Sequence, residues 1–170
     1  MKLLARTGLA ILLLAGAAQA APPITTDGYE ALPLVDHVVV SKKDRTISLY
    51  AEGRLVHTIT GIQLGDAPKG HKRYQGDERT PEGRYLIDYA NPNSSYHLSL
   101  HISYPSAADI AIAQAQGRSP GGAIFIHGQP NGTQGRMSGD WTDGCIAVSN
   151  AEMDYLWQVV PEGTVIDILP

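Results

Sequence analysis

The sequence predicts a mainly β fold, a β-sandwich or barrel of mixed sheets with two short peripheral helices. Runs of β-branched and aliphatic residues are short and are separated by turn residues, and the 170-residue chain contains 18 Gly and 11 Pro. Only two segments carry helix-capping patterns. This composition is typical of a loop-rich β protein, and the chain is long enough for one domain.

The charge balance excludes one class of function. The chain carries a formal net charge of −4, and only 18% of its residues are charged. A nucleic-acid-binding domain normally presents a basic face, which this composition does not supply. We therefore expect no nucleic-acid partner.

The first twenty residues have the features of a signal peptide. Lys2 and Arg6 form a positive start, an apolar run follows over 9–18, and Ala18-Gln19-Ala20 matches a signal-peptidase site. A bilayer-spanning helix needs about 20 apolar residues, so this run is too short. No Cys follows it to carry a lipid. A buried N-terminal helix is the alternative, but the pattern favours an exported protein with no membrane anchor after cleavage.

The remaining chain divides into a linker and one domain. Residues 21–35 are Pro-rich and aperiodic, so we expect a linker there and a domain over 36–170. The first three predicted strands are separated by short polar turns and form an antiparallel meander. The polar segment 65–81 is a long loop, and loops of this length are often functional. The predicted strands are 36–40, 46–50, 55–61, 84–88, 98–103, 123–127 and 164–169.

Two helices are predicted from their caps. Ser106 is followed three residues later by an acid, Asp109, and the segment 106–116 ends at a glycine. Ser149 and Glu152 form a fuller capping box, which starts a helix that runs through 160 and stops before a proline.

Cys145 is the single cysteine of the chain, so no intramolecular disulfide can form. In an oxidising compartment a lone thiol is suspect as a reactive group, whereas many free cysteines are small buried hydrophobes. Cys145 stands between a glycine turn at Gly144 and another apolar strand. Gly144 allows the amides near the sulfur to point into open space, as an oxyanion site requires.

His127 ends an apolar strand beside Gly128, where a side chain can face a cleft. A thiol with its ordinary pKa of about 8.5 needs a base or a positive charge to act at neutral pH, and His127 is the natural partner of Cys145. Asp140 and Asp143 disfavour a nearby thiolate, unless one of them orients a histidine instead. The spacing alone does not decide, because the chain has six histidines.

The ordered motifs resemble the signature of the L,D-transpeptidase (YkuD-type) catalytic domain. The signature segment is His127, fourteen residues over 128–141, and then Thr142-Asp143-Gly144-Cys145. Upstream, Arg79-Thr80-Pro81-Glu82-Gly83 is similar to the Thr-Pro-x-Gly element of that family. Asn150 matches the Asn that follows its Cys strand. The resemblance covers about 36–170.

The resemblance implies mixed β-sheets that hold a cysteine enzyme of peptidoglycan stem peptides. Cys145 is the implied nucleophile and forms a thioester, and His127 is the general base, with its second ring nitrogen held by the carbonyl of Gly128. The backbone amides of Asp143, Gly144 and Cys145 are the implied oxyanion donors. An amine then gives a cross-link or a protein attachment, whereas water gives hydrolysis. No metal or cofactor is implied.

Several stretches are similar to one branch of the family, hydrolases that release the major outer-membrane lipoprotein from peptidoglycan. These stretches are 70–72, 76–83, 100–105 and 126–132. The branch implies a periplasmic protein of a Gram-negative bacterium, with the lipoprotein as a partner. Transfer by the same residues is the alternative reaction.

Two positions depart from the family pattern. Ala147 stands where the family usually has an Arg, two residues after the Cys, and Asp143 stands where it often has His or another basic residue. An arginine at that position can bind a carboxylate, so its absence removes the usual means of donor recognition.

Three further residues are candidates for substrate binding. His101 lies on the polar face of its strand, Arg79 belongs to a basic cluster that can hold carboxylates, and Trp141 can pack over the cleft. Each has an ordinary alternative, namely a solvated histidine, a solvated basic loop and an aromatic core residue. The rest of the basic cluster is Lys69, His71, Lys72 and Arg73.

Two other classes of function stay open. Cys145, His127 and His101 are ordinary zinc ligands, although the chain has no compact zinc motif. An inactive wall-binding module is the second alternative, which Ala147 favours and the retained Cys145 and His127 oppose. Titration of the thiol distinguishes the cysteine enzyme, the zinc site and the wall-binding module. A low thiol pKa indicates catalysis, a thiol bound to metal indicates a zinc site, and an unreactive thiol indicates the module.

Overall fold

One curled, mixed sheet of eight strands carries the fold in the computed structural model, which describes residues 32–170. The strand order is β3-β2-β1-β8-β4-β5-β6-β7. The β1–β8 and β6–β7 pairs are parallel, and the other pairs are antiparallel. The elements are β1 (His37–Ser41), β2 (Thr46–Ala51), β3 (Arg54–Thr60), β4 (Gly83–Asn91), β5 (Ser99–Ile102), α1 (Ala107–Gln114), β6 (Ile124–His127), β7 (Ile146–Ala147), α2 (Asn150–Val159) and β8 (Thr164–Leu169).

The mainly β class, the meander of β1 to β3 and the two helices are confirmed. The predicted sandwich or barrel is observed as a single sheet whose two edges meet. Gln63, just after β3, donates its N–H to the carbonyl of Ala147 in β7 at 2.9 Å and accepts from the Ala147 N–H at 2.8 Å. These two hydrogen bonds join the residues that follow edge strand β3 to the opposite edge strand, β7. The sheet must therefore curl.

The core lies inside this curl, because alternate strand residues point to the same side. Helix α2 packs its apolar stripe, Met153, Leu156 and Val159, into that core. Helix α1 buries only Asp109 and Ala113. Both helices begin with the predicted capping box, in which the serine side chain and the acid three residues later satisfy each other's backbone N–H.

The N-terminal predictions concern another part of the chain. The signal peptide over 1–20 and most of the linker over 21–35 lie outside the described residues. Val35, the last residue of that linker, is buried, and its N–H donates to the Val159 carbonyl at 2.8 Å. Within 32–170 no helix combines the length and apolar character needed to cross a membrane.

The predicted long loop over 65–81 contains no helix or strand but is held firmly. The buried ammonium of Lys42 donates to the carbonyls of Gly70 (2.7 Å) and Thr80 (3.0 Å) and to Glu82 Oε1 (2.8 Å). Burial lowers the pKa of Lys42, and the bond to Glu82 opposes this shift. Since three acceptors surround the ammonium, Lys42 holds the loop at Gly70 and at Thr80.

Candidate active site

A cleft of about 720 Å³ contains both Cys145 and His127. The cleft is lined by the long loop, the segment before β6, the β4–β5 connection and the turn before Cys145. The long loop and the segment before β6 are tied together, because Gln75 N–H donates to the Ser119 carbonyl at 2.9 Å and the Arg118 guanidinium lies 3.5 Å from the Tyr74 ring centre. The cleft is therefore a built feature of the fold.

Cys145 is half-buried on the floor of this cleft, directly before β7. Its Sγ lies 3.6 Å from the carbonyl oxygen of Ala123. Burial raises the pKa of the thiol to about 11, and the charge of Asp143 adds to the rise, whereas the Phe125 N–H and the Lys72 ammonium act to lower it. The sequence analysis takes a low pKa of the thiol as the sign of catalysis. In the free protein the pKa of Cys145 is raised instead.

His127 is the last residue of β6 and is only 3% exposed. Its Nδ1 lies 2.6 Å from the carbonyl oxygen of Gly128. A carbonyl oxygen can only accept, so Nδ1 carries the proton and Nε2 of the neutral ring is the free base. Burial lowers the pKa of His127, and the bond to Gly128 opposes this. The neutral ring is therefore the resting form at pH 7.

Two aromatic rings hold the imidazole of His127 in place. The ring centres of His127 and Tyr96 are 4.6 Å apart, and those of His127 and Trp141 are 5.6 Å apart with the planes at 65°. Neither Asp140 nor Asp143 orients His127. Asp140 instead forms a bidentate ion pair with Arg45 at 2.7 and 2.6 Å. The Gly128 carbonyl does the orienting that an aspartate does in other cysteine and serine sites.

These shifts predict how the free thiol responds to pH. Because the pKa of Cys145 is raised and that of His127 is lowered, the resting pair is thiol and imidazole rather than thiolate and imidazolium. Alkylation of the native protein by iodoacetamide should still accelerate between pH 8 and pH 10. The unfolded chain in urea is the control and should level off near the ordinary thiol pKa. A plateau in the native protein below pH 7 would contradict the neutral pair.

The turn before Cys145 shapes the predicted oxyanion donors. The Gly144 N–H donates to Thr142 Oγ1 at 3.2 Å, and the same hydroxyl donates to the Cys145 carbonyl at 2.8 Å. The amide of Gly144 is thus occupied by its own turn. Of the three predicted donors, the amides of Asp143 and Cys145 are the two that this turn does not use. Trp141 lines the same cleft.

Trp141 also leaves one group unsatisfied. Its Nε1 is buried and has no hydrogen-bond partner among residues 32–170. A buried donor without a partner costs about 1–3 kcal/mol, so this indole is held by its packing against His127 and Tyr96.

His101 and Arg79 lie outside the residues that line the cleft. His101 shares a face of the sheet with His127, but its Nδ1 is 2.6 Å from Asp88 Oδ1 and its ring stacks on Tyr89 at 4.4 Å. The backbone of Arg79 packs under Gly144, and its guanidinium lies beside Gly70. Their role in substrate binding stays a prediction, and it requires a substrate that extends beyond the cleft.

The structure does not bring together the three residues of the alternative zinc site. His101 is not in the cleft with Cys145 and His127, and within 32–170 no group of three or more His, Cys, Asp or Glu side chains is arranged to hold a metal ion.

Lys72, a member of the basic cluster that the sequence offered for holding carboxylates, lines the cleft. The sequence favoured a solvated loop residue, which is wrong here, because the Lys72 side chain is 3% exposed and lines the cleft. Its ammonium lies 2.9 Å from Asp77 Oδ1, and Asp77 also accepts the N–H groups of Arg73 and Arg79. Only the folded loop creates this pairing. A lysine and an aspartate five residues apart carry no local signal for it.

Ala147 is fully buried where the family usually has Arg. Its backbone is bonded to Gln63, whose side-chain oxygen accepts from Gln129 Nε2 at 3.2 Å. Gln129 Nε2 also donates to the Val148 carbonyl at 2.7 Å. Because Ala147 is fully buried, a long charged side chain at 147 would overpack the site.

The sequence and the fold of this chain are similar to those of known proteins. The sequence profile of the L,D-transpeptidase catalytic domain, YkuD, matches residues 35–168. The helical cell shape determining protein Pgp2 from Campylobacter jejuni is similar at 27% identity and a TM-score of 0.62, over 79% of this chain and 47% of Pgp2. Bd1075 from Bdellovibrio bacteriovorus is similar at 21% identity and a TM-score of 0.55, over 82% of this chain and 51% of Bd1075.

A third structure extends the fold match. An L,D-transpeptidase from Stackebrandtia nassauensis is 11% identical with a TM-score of 0.55, over 87% of this chain and 62% of that protein. The chain thus spans about half of the length of Pgp2 and Bd1075. A search of curated protein sequences found no match. The fold expected from the sequence motifs is confirmed by these structures.

Proposed function

Because this chain belongs to the L,D-transpeptidase catalytic domain (YkuD) family, we propose that it is a cysteine enzyme acting on peptidoglycan stem peptides. The observation that carries the proposal is the contact of His127 Nδ1 with the Gly128 carbonyl oxygen. This contact leaves His127 Nε2 free as a base in the cleft that contains Cys145. Pgp2, a cell shape determining protein, shares the fold at 27% identity and supports a role in the cell wall.

The proposed reaction begins with attack of the Cys145 sulfur on a peptide carbonyl carbon. His127 Nε2 takes the thiol proton as the sulfur–carbon bond forms, since the resting thiol is not ionised. The amides of Asp143 and Cys145 stabilise the oxyanion. When the carbon–nitrogen bond breaks, His127 returns the proton to the leaving amine, and a thioester remains on Cys145.

Resolution of the thioester sets the outcome. Water gives hydrolysis, and an amine gives a cross-link or an attached protein. We propose hydrolysis of the link between diaminopimelate and an outer-membrane lipoprotein, with transfer as the second reaction. The signal-peptide pattern over 1–20 supports export to the periplasm. The buried Ala147 and the raised pKa of Cys145 favour the competing possibility, an inactive wall-binding module.

One experiment tests these three functions together. The full chain and its Cys145→Ala variant are incubated with sacculi that carry covalently attached lipoprotein, and released fragments and new cross-links are identified by mass spectrometry. Free lipoprotein with the wild type alone supports the hydrolase. New diaminopimelate cross-links or exchanged amines with the wild type alone support the transpeptidase. Identical products from both proteins overturn the cysteine mechanism and leave the wall-binding module.

A further inference from the structure

A buried ion pair lies in the long loop beside the candidate active site. The Lys72 ammonium is 2.9 Å from Asp77 Oδ1, and the two side chains are only 3% and 5% exposed. Asp77 is the one hydrogen-bond acceptor that the Lys72 ammonium has within 32–170. Because a buried charge that loses its partner is strongly destabilised, each of these two groups depends on the other. The proposed reaction uses neither group directly.

Asp77 organises the backbone of the loop around it. Its Oδ2 accepts the N–H groups of Arg73 at 2.6 Å and of Tyr74 at 3.3 Å. Its Oδ1, the atom that contacts Lys72, also accepts the Arg79 N–H at 3.2 Å. Burial acts to raise the pKa of Asp77, but these donors outweigh burial and the pKa is lowered. Asp77 is therefore a carboxylate at neutral pH, and it holds the Arg79 N–H with its full charge.

The backbone of Arg79 also supports the turn that precedes Cys145. A Cβ at Gly144 would lie 2.5 Å from the Arg79 carbonyl oxygen, so the two backbone segments pack directly against each other. Arg79 thus connects the ion pair to the turn, because its N–H is held by Asp77 and its carbonyl packs against Gly144. The next residue in the turn carries the sulfur and one of the two amides proposed to face the oxyanion.

We propose that the Lys72–Asp77 ion pair is a positioning element of the active site, which fixes the Arg79 backbone and through it the turn that carries Cys145. This inference rests on the proposed function and adds two positioning residues to it. Without Lys72 the buried Asp77 carboxylate has no cation and is driven toward water, so the Arg79 N–H loses its acceptor. The Arg79 carbonyl can then shift, and the sulfur moves with the turn. A displacement of about 1 Å at a reacting group can cost about 10²-fold in rate.

A positioning role and a purely electrostatic role predict different results at Asp77. The Lys72 ammonium acts to lower the pKa of the Cys145 thiol. If only charge matters, loss of the cation is harmful, whereas loss of the Asp77 anion is neutral or helpful. If positioning matters, loss of either partner is harmful, because the other group is then left buried and alone. The direction of the Asp77 effect therefore distinguishes the two roles.

The first test measures kcat and KM on peptidoglycan fragments for Lys72→Met, Asp77→Asn and the double variant, at a temperature where circular dichroism shows each of them folded. We expect each single variant to lower kcat by about 10- to 100-fold with KM changed by less than about threefold, because the sulfur is displaced while most of the cleft is retained. The double variant should be no slower than the slower single variant, since both substitutions act through the same Arg79 contact.

The matched control is Lys69→Met, which removes an exposed lysine three residues earlier in the same loop and should match the wild type. Several results would overturn the positioning role. They are a wild-type kcat or a rise in KM alone in folded Lys72→Met, an unchanged or raised kcat in Asp77→Asn, and effects of the two single variants that multiply in the double variant.

The second test does not depend on turnover. Amide hydrogen exchange of the Arg79 and Gly144 N–H groups is followed by NMR in the wild type, Lys72→Met and Lys69→Met. We expect both amides to exchange at least about tenfold faster in Lys72→Met alone, because the loop and the turn open together when the ion pair is lost. The Val148 amide, which donates to the last carbonyl of β6 at 2.9 Å, is the internal control and should exchange at the wild-type rate.

The two tests together distinguish failure of this inference from failure of the proposed function. If both amides keep their wild-type protection in Lys72→Met, the positioning role fails, whatever the activity. If they lose protection but the wild type turns over no peptidoglycan fragment, the proposed function fails and the link between the ion pair and the turn stands. If they lose protection while folded Lys72→Met keeps the wild-type kcat, the pair is only structural and the inference is overturned.

Discussion

His127→Ala is expected to lower kcat/KM on peptidoglycan fragments by about 10³-fold, within the range typical of a lost general base. The neutral ring has one basic nitrogen, Nε2, because Nδ1 is committed to the Gly128 carbonyl at 2.6 Å. Without that base the thiol, whose pKa is raised to about 11, must lose its proton to water. The measurement is steady-state hydrolysis or transfer at pH 7.5, with circular dichroism to verify the fold.

His57→Ala is the matched control for His127. It removes an exposed histidine of β3, which packs on Tyr155 and does not line the cleft. We expect kcat/KM within about twofold of the wild type, because the substitution lies away from the reacting atoms. If His127→Ala keeps more than a tenth of the activity, or if the two variants lose it equally, His127 is not the base.

Gly144→Ala is expected to destabilise the domain by about 2–3 kcal/mol and to lower activity by at least about 100-fold. Gly144 has φ +126°, a region that L side chains rarely adopt, and a Cβ there would lie 2.5 Å from the Arg79 carbonyl oxygen. Since that atom is backbone, the turn itself must shift. The shift would move the sulfur of Cys145 and the amides that face the oxyanion. Urea unfolding and the same kinetic assay measure the two effects.

Gly135→Ala separates backbone strain from the clash. Gly135 has φ +77° but nothing within 4 Å of its Cβ position. Its substitution should cost about 1 kcal/mol with little effect on activity, because only the strained φ remains. Should Gly144→Ala behave like Gly135→Ala in both measurements, the close approach to Arg79 would not constrain the active-site turn.

Local patterns were sufficient for much of this fold. Ser149 and Glu152 marked the start of α2, since a capping box is a contact between residues three apart. The β-branched runs marked the strands, since alternation depends only on one side of each strand meeting the core. The strand order was beyond such signals. The pairing of β1 with β8 joins residues more than 120 positions apart, and nothing in either segment specifies its partner.

The site divides along the same line. The sequence by itself determined which atoms are available for chemistry, because a single thiol, a histidine at the end of a strand and a glycine before the cysteine are chemical facts of the chain. The tertiary structure decided how these groups are charged and paired. It buried Lys72 against Asp77, left the Asp143 carboxylate without a hydrogen-bond partner among residues 32–170, and placed His101 outside the cleft. Burial and charge pairing depend on distant segments meeting, so their effects on pKa and recognition exist only in the folded protein.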